Sequence, residues 1–85
     1  MDNDELRKRI ASIDERIILL VADRMQAAHE IGQNKKAAGI PVYDPEVERA
    51  VIARYRRIAV EEHLDPDSAE ELAKILMAWS CRIQE

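Results

Sequence analysis

Arg24 interrupts an apolar seam. Leu6, Ile10, Ile13, Ile17, Leu20, Ala27 and Ile31 recur by threes and fours, the spacing that keeps one helix face apolar, and Arg24 takes the position after Leu20. A lone charge on a buried face is costly. Either a protein carboxylate such as Glu48 answers it as a structural ion pair, or a ligand anion does. Lys35 follows eleven residues later, within about 20° of the same face and ~16 Å along the axis. Two long cations leaning across that gap can grip the two ends of a small dianion. Beside Lys36, Lys35 is alternatively a solvated helix end. Arg7 lies seventeen residues before Arg24, ~25 Å away and on another face, so it reaches the same ligand only from a second copy of the chain.

Asp44 and Glu48 are four apart, as are Ser80 and Gln84, so each pair shares a helix face. Ser80 and Gln84 continue the stripe of Leu72, Ala73, Leu76 and Met77, or else belong to a fraying surface terminus. Together these residues supply cations, two carboxylates, a hydroxyl and an amide. No nucleophile–base pair, metal-ligand cluster or glycine-rich phosphate loop accompanies them, and His29 and His63 have no partners at metal spacing. Such a set suits a reaction driven by positioning and electrostatic stabilisation.

Three helices must carry these residues, and the class is all-α. The first is expected over about residues 4–38, with Asn3 as N-cap and Gly39 as the stop, ahead of Pro41. It would be on the order of 50 Å long, more than a compact chain of this size can cover. Its middle, Ile17 to Ala22, is apolar on every face. Both features imply an obligate, intertwined homodimer in which this helix packs against its own copy. Asp44-Pro45 and Asp65-Pro66 each read as an N-cap followed by proline at the first helical position. They open helices over about 45–63, with Val47, Val51, Tyr55 and Ile58 on its apolar side, and about 66–84, with Leu72, Ala73, Leu76, Met77, Trp79 and Ile83. Tyr55 and Trp79 read as core.

Composition narrows the class further. Eighty-five residues make one small domain, and a net charge of −4 argues against a nucleic-acid binder. The longest apolar run is too short for a bilayer, no leader peptide is expected, and Cys81 is the only cysteine, expected to be a small buried residue. A cytoplasmic protein is expected.

The joint pattern Leu6-Arg7-Lys8-Arg9-Ile10, Ile13-Asp14, Leu20-Val21-Ala22-Asp23-Arg24, Ile31-Gly32-Gln33-Asn34-Lys35 and Ile40-Pro41-Val42-Tyr43-Asp44-Pro45-Glu46-Val47-Glu48-Arg49, with Ser80 and Gln84, closely resembles the all-helical chorismate mutase family (the AroQ type). That resemblance implies an intertwined dimer of three-helix chains. It also implies the Claisen rearrangement of chorismate to prephenate, the branch step toward phenylalanine and tyrosine, without cofactor or covalent intermediate. By position, Arg24 would bind one substrate carboxylate and Arg7 of the other subunit the second. Lys35 would donate to the ether oxygen and a neighbouring carboxylate oxygen, and Gln84 would be the second donor to the ether oxygen. Glu48 would accept from the ring hydroxyl with Asp44 assisting, and Ser80 would help hold a carboxylate. Two departures stand out: Val47 occupies a position where several members carry arginine, and the chain ends one residue after Gln84, so the last turn is expected to fray.

Isochorismate pyruvate lyase resembles the same fold, although that site looks less acidic at the connector than Asp44 and Glu48 make this one. A non-catalytic helical dimer is the reading from a different class.

Overall fold

The computed structural model describes every residue from Met1 to Glu85 and contains three α-helices and no strand: α1 (Asn3–Ala38), α2 (Pro45–Glu61) and α3 (Pro66–Gln84). Local chemistry sets each boundary. Asp2, not Asn3, caps α1: its carboxylate accepts from the Glu5 amide at 2.8 Å. An ionised cap gains from the helix dipole where the Asn3 amide does not. At the other end Gly39 adopts φ 70°, and the amides of Gly39 and Ile40 close back onto the carbonyls of Lys36 and Lys35. Asp44 caps α2 through the Glu46 and Val47 amides, and Asp65 caps α3 through Asp67 and Ser68. α2 stops at Glu61, short of His63. The same closing pattern ends it, from His63 to Val60 and from Leu64 to Ala59, with His63 in the left-handed region at φ 59° where α1 uses glycine.

α3 lies against both other helices, while α1 and α2 do not pack on each other. The core is correspondingly small. Met25 and Ala28 of α1, Val51 and Ala59 of α2, and Ala73, Leu76 and Ser80 of α3 are buried, together with Gly32. The molecule measures 55 × 24 × 15 Å, its long axis matching the ~54 Å that 36 helical residues span. The N-terminal half of α1 therefore projects alone. Within one chain Ile17, Ile18, Leu19 and Leu20 are 50%, 63%, 59% and 67% exposed. Trp79 and Leu72 are also exposed and Tyr55 only half-buried, so these expected core residues are not core within one chain. α3 buries the side that meets its two neighbours and leaves the other open. No helix is long and apolar enough to cross a membrane.

Polar contacts tie α2 to α3. Arg56 donates to Asp67 at 2.9 Å and to Glu70 at 3.1 Å, and Lys74 sits 3.1 Å from the other Glu70 oxygen. The Lys74 hydrogen bond, with Arg56 adding, holds the Glu70 carboxyl below its ordinary range, and Ser68 does the same for the capping Asp65. A carboxyl with a depressed folded-state pKa contributes stability above the ordinary carboxylate range and loses it as pH falls through the lowered value. Thermal stability should thus decline as pH drops from about 5 toward 2. Glu70→Gln should lower the melting temperature at neutral pH and flatten that decline; an unchanged slope would exclude Glu70 as a source of the acid sensitivity.

Candidate active site

Where the C-terminal half of α1, the connector, the start of α2 and the end of α3 meet, they enclose a cleft of about 380 Å³. Its lining includes Arg24 and Lys35 from α1, Asp44 and Glu48 from the start of α2, and Ser80 and Gln84 from α3. Six of the seven residues singled out by type and spacing thus converge on one space. Arg7 does not. It sits on the projecting part of α1 with its side chain 73% exposed, paired only with Asp4 at 3.4 Å.

Arg24 makes no ion pair within the chain, with Glu48 or any other carboxylate. Its guanidinium donates to the Ser80 hydroxyl and, at 3.4 Å, to the Leu76 carbonyl. Both acceptors are neutral, so the charge is oriented but not cancelled. Ser80 is buried, and its single proton goes to the Leu76 carbonyl at 2.9 Å, with the Met25 sulfur 3.7 Å away. Its remaining capacity accepts from Arg24. Leu76 and Ser80, one turn apart on α3, thus lock one Arg24 nitrogen and leave the rest of the fork, with its other N–H donors, for the cleft.

Lys35 is not a solvated helix end. It is half-buried, and its ammonium donates to the Val42 carbonyl at 2.7 Å, tying the connector to α1. That uses one of three ammonium protons. Asp44 has two duties, since the carboxylate oxygen that caps α2 belongs to a side chain on the cleft wall. Glu48, in the first turn of α2 and half-buried, forms no ion pair within the chain. The last turn of α3 remains helical through Gln84, and the Glu85 amide bonds the Cys81 carbonyl. Gln84 packs against Gly32 there, and its Oε1 is buried with no hydrogen-bond partner. An orphaned buried acceptor of this kind calls for an explanation.

The remaining walls are apolar. Ala27, Ala28, Ile31, Val42, Val47, Val51 and Met77 surround the polar groups with hydrocarbon, and Tyr43 and Cys81 complete the lining. Cys81 is half-buried on this wall, not enclosed in a core. Sequence patterning did not assign Tyr43, Cys81 or Met25 to this neighbourhood, because spacing says neither that the connector folds over α1 nor which faces of α1 and α3 meet. Ala28 and Gly32 carried a readable signal: two small residues four apart mark a face where another helix comes close. The cleft can therefore hold a small, compact, anionic and hydroxylated molecule, with cations at one side, carboxylates at the other and an amide at the end.

Comparison with known proteins identifies the family. The chorismate mutase type II family model matches residues 6–85. A chorismate mutase of Methanocaldococcus jannaschii is 32% identical over 81 residues, covering 95% of this chain and 82% of that protein. The T-protein of Enterobacter agglomerans is 33% identical over 75 residues, 88% of this chain but 20% of its own length. A bifunctional chorismate mutase/prephenate dehydratase of Escherichia coli K12 is 30% identical over 80 residues, 94% of this chain and 21% of that protein. The chain thus spans most of the first relative and about a fifth of the two longer ones. With the match running from Leu6 to Glu85 and through all three helices, the chain belongs to the chorismate mutase type II family.

Proposed function

We propose that this protein is an isomerase that converts chorismate to prephenate by intramolecular rearrangement in the cleft, in the branch leading to phenylalanine and tyrosine. The observation that carries the reading is Arg24: a guanidinium fixed by neutral acceptors, uncancelled, on the wall of a cleft that also holds Lys35, Glu48 and Gln84. The family match and the M. jannaschii relative support it.

Arg24 takes one substrate carboxylate in a bidentate pair, which its planar fork favours over a lysine. Ser80 helps hold that carboxylate by bracing the guanidinium, since its own proton is committed to Leu76. Lys35 keeps its anchor on Val42 and turns its remaining protons to the ether oxygen and a neighbouring carboxylate oxygen. The Gln84 amide is the second donor to the ether oxygen. Glu48 accepts from the ring hydroxyl, with Asp44 beside it. As the ether C–O bond breaks and the new C–C bond forms, negative charge grows on that oxygen. Donors aimed there bind the transition state more tightly than the ground state, which is what raises kcat. Confinement in a small cleft holds the substrate in its compact reactive conformer.

The functional unit in this reading is an intertwined homodimer. Its support is the projecting half of α1, whose large apolar residues Leu6, Ile10, Ile17, Ile18, Leu19 and Leu20 are exposed within one chain. An antiparallel copy covers that surface and brings Arg7 to the partner's cleft as the grip on the second carboxylate. A single free cysteine suits a reducing, cytoplasmic setting.

Purified protein should consume chorismate and yield prephenate; pyruvate released from isochorismate, with no prephenate from chorismate, would overturn the assignment in favour of a lyase. Arg24→Ala should lower kcat/KM by at least about a hundredfold, the scale of losing a charged pair to the substrate, with helical circular dichroism retained. Loss of stability with undiminished turnover would instead mark Arg24 as structural. Ser80→Ala should raise KM more than it lowers kcat, and should add little once Arg24 is alanine, because the two act as a unit. Mixed Arg7→Ala and Arg24→Ala subunits should regain activity after exchange, as one composite site per heterodimer keeps both arginines; demonstrated exchange without recovery would rule out a shared site.

A further inference from the structure

Gly32 is helical, buried and in the interior of α1, so no turn or positive φ requires a glycine there. Against alanine, an interior helical glycine costs on the order of 1 kcal/mol. The packing supplies the reason. A Cβ on Gly32 would lie 2.8 Å from the α- and β-carbons of Gln84 and 2.9 Å from its Cγ, closer than real side chains approach. The α-carbon belongs to the backbone of α3, so no rotamer change of Gln84 relieves that clash. Only a hydrogen at position 32 lets the last turn of α3 rest on α1 at this depth.

The residue seated by that close approach is Gln84, whose side-chain oxygen has no partner of its own. Gln84 Oε1 is buried without a partner, so no hydrogen bond to that oxygen anchors the amide within the chain. Lys35 lies three residues further along α1 and lines the same cleft as Gln84. We infer that Gly32 is a positioning residue for the reaction: its missing side chain sets the distance between the Gln84 amide and the Lys35 ammonium, so that both reach the same atom of the substrate. This rests on the function proposed above. It goes beyond it by assigning the alignment of the two donors to a residue that touches no substrate.

The test is Gly32→Ala. A displacement of Gln84 by about an ångström should lower kcat roughly ten- to a hundredfold, while KM, set mainly by the arginines, stays within about threefold. Gln84→Ala should lower kcat to a similar degree, and Gly32→Ala in that background should cost no more than about twofold further, because there is no amide left to misplace. In the ligand-free protein, the Gln84 side-chain amide resonance should shift in Gly32→Ala. A full additional loss in the Gln84→Ala background would show a general packing role and overturn the inference, as would an unchanged kcat. If Gly32→Ala alone does not fold, Gln84→Asn probes the same alignment with Gly32 in place, by drawing the amide back one methylene. Gln84→Asn should then lower kcat roughly ten- to a hundredfold with KM within about threefold, and an unchanged kcat would overturn the inference. A wild-type protein that makes no prephenate fails the proposed function itself. An active wild type with an indifferent Gly32→Ala fails only this inference.

Discussion

The Arg24 guanidinium is held in place but not neutralised, and much of the architecture follows from that condition. A charge on a helix face that meets another helix needs acceptors, and here a hydroxyl and a backbone carbonyl of α3 provide them. Had Glu48 answered it, one of the cleft's two cations would have been spent on an internal ion pair. Neutral acceptors cost the fold something, since they compensate desolvation only in part. What they give in return is a cation fixed in direction before any ligand arrives, which is the condition under which electrostatic stabilisation is most effective.

For α3 to supply those acceptors it must lie close to α1, and small side chains make that approach possible. Ala28 and Gly32 of α1 and Ala73, Leu76 and Ser80 of α3 all belong to the buried set, and Gln84 rests directly on Gly32. α3 is thereby the central element, with α1 on one side and α2 on the other. α2 contributes the acidic side of the cleft through a capping arrangement that needs no help from the core. Asp44 sits at the cleft because it starts a helix there, and Glu48 follows one turn on. Lys35 closes the loop between the two halves by its bond to Val42. Arg24, Lys35 and Asp44 are thus each positioned by an interaction that also defines an element boundary or a helix pairing.

The exposed half of α1 sets a second constraint. A helix of 36 residues outruns the rest of an 85-residue chain, and the core stops near Met25. In the proposed dimer the same excess length serves two purposes, burying the apolar surface and carrying Arg7 across to the other cleft. Length, apolar patterning and the second arginine are then one feature seen from three sides.

The sequence by itself determined the elements and most of the chemistry. Asp-Pro pairs, the Gly39 stop and threes-and-fours periodicity are local signals, governed by hydrogen bonds and side-chain entropy within a few residues, so three helices could be read from them. Type and spacing also singled out Arg24, Lys35, Asp44, Glu48, Ser80 and Gln84. Cap identity at Asp2 rather than Asn3 turned on a single carboxylate–amide hydrogen bond, too fine for pattern. What only the tertiary structure decided was long-range: that Arg24 meets Ser80, 56 residues away, instead of Glu48; that Lys35 anchors the connector; and that Trp79 and Leu72 face outward. Those outcomes depend on which face of α3 is shared between two neighbours, and periodicity names an apolar face without naming what covers it. Gly32 shows the difference most clearly. In the sequence it is a weak spot in a helix; in the fold it is a place where α3 rests on α1 with no room for a methyl group, and the reason is steric.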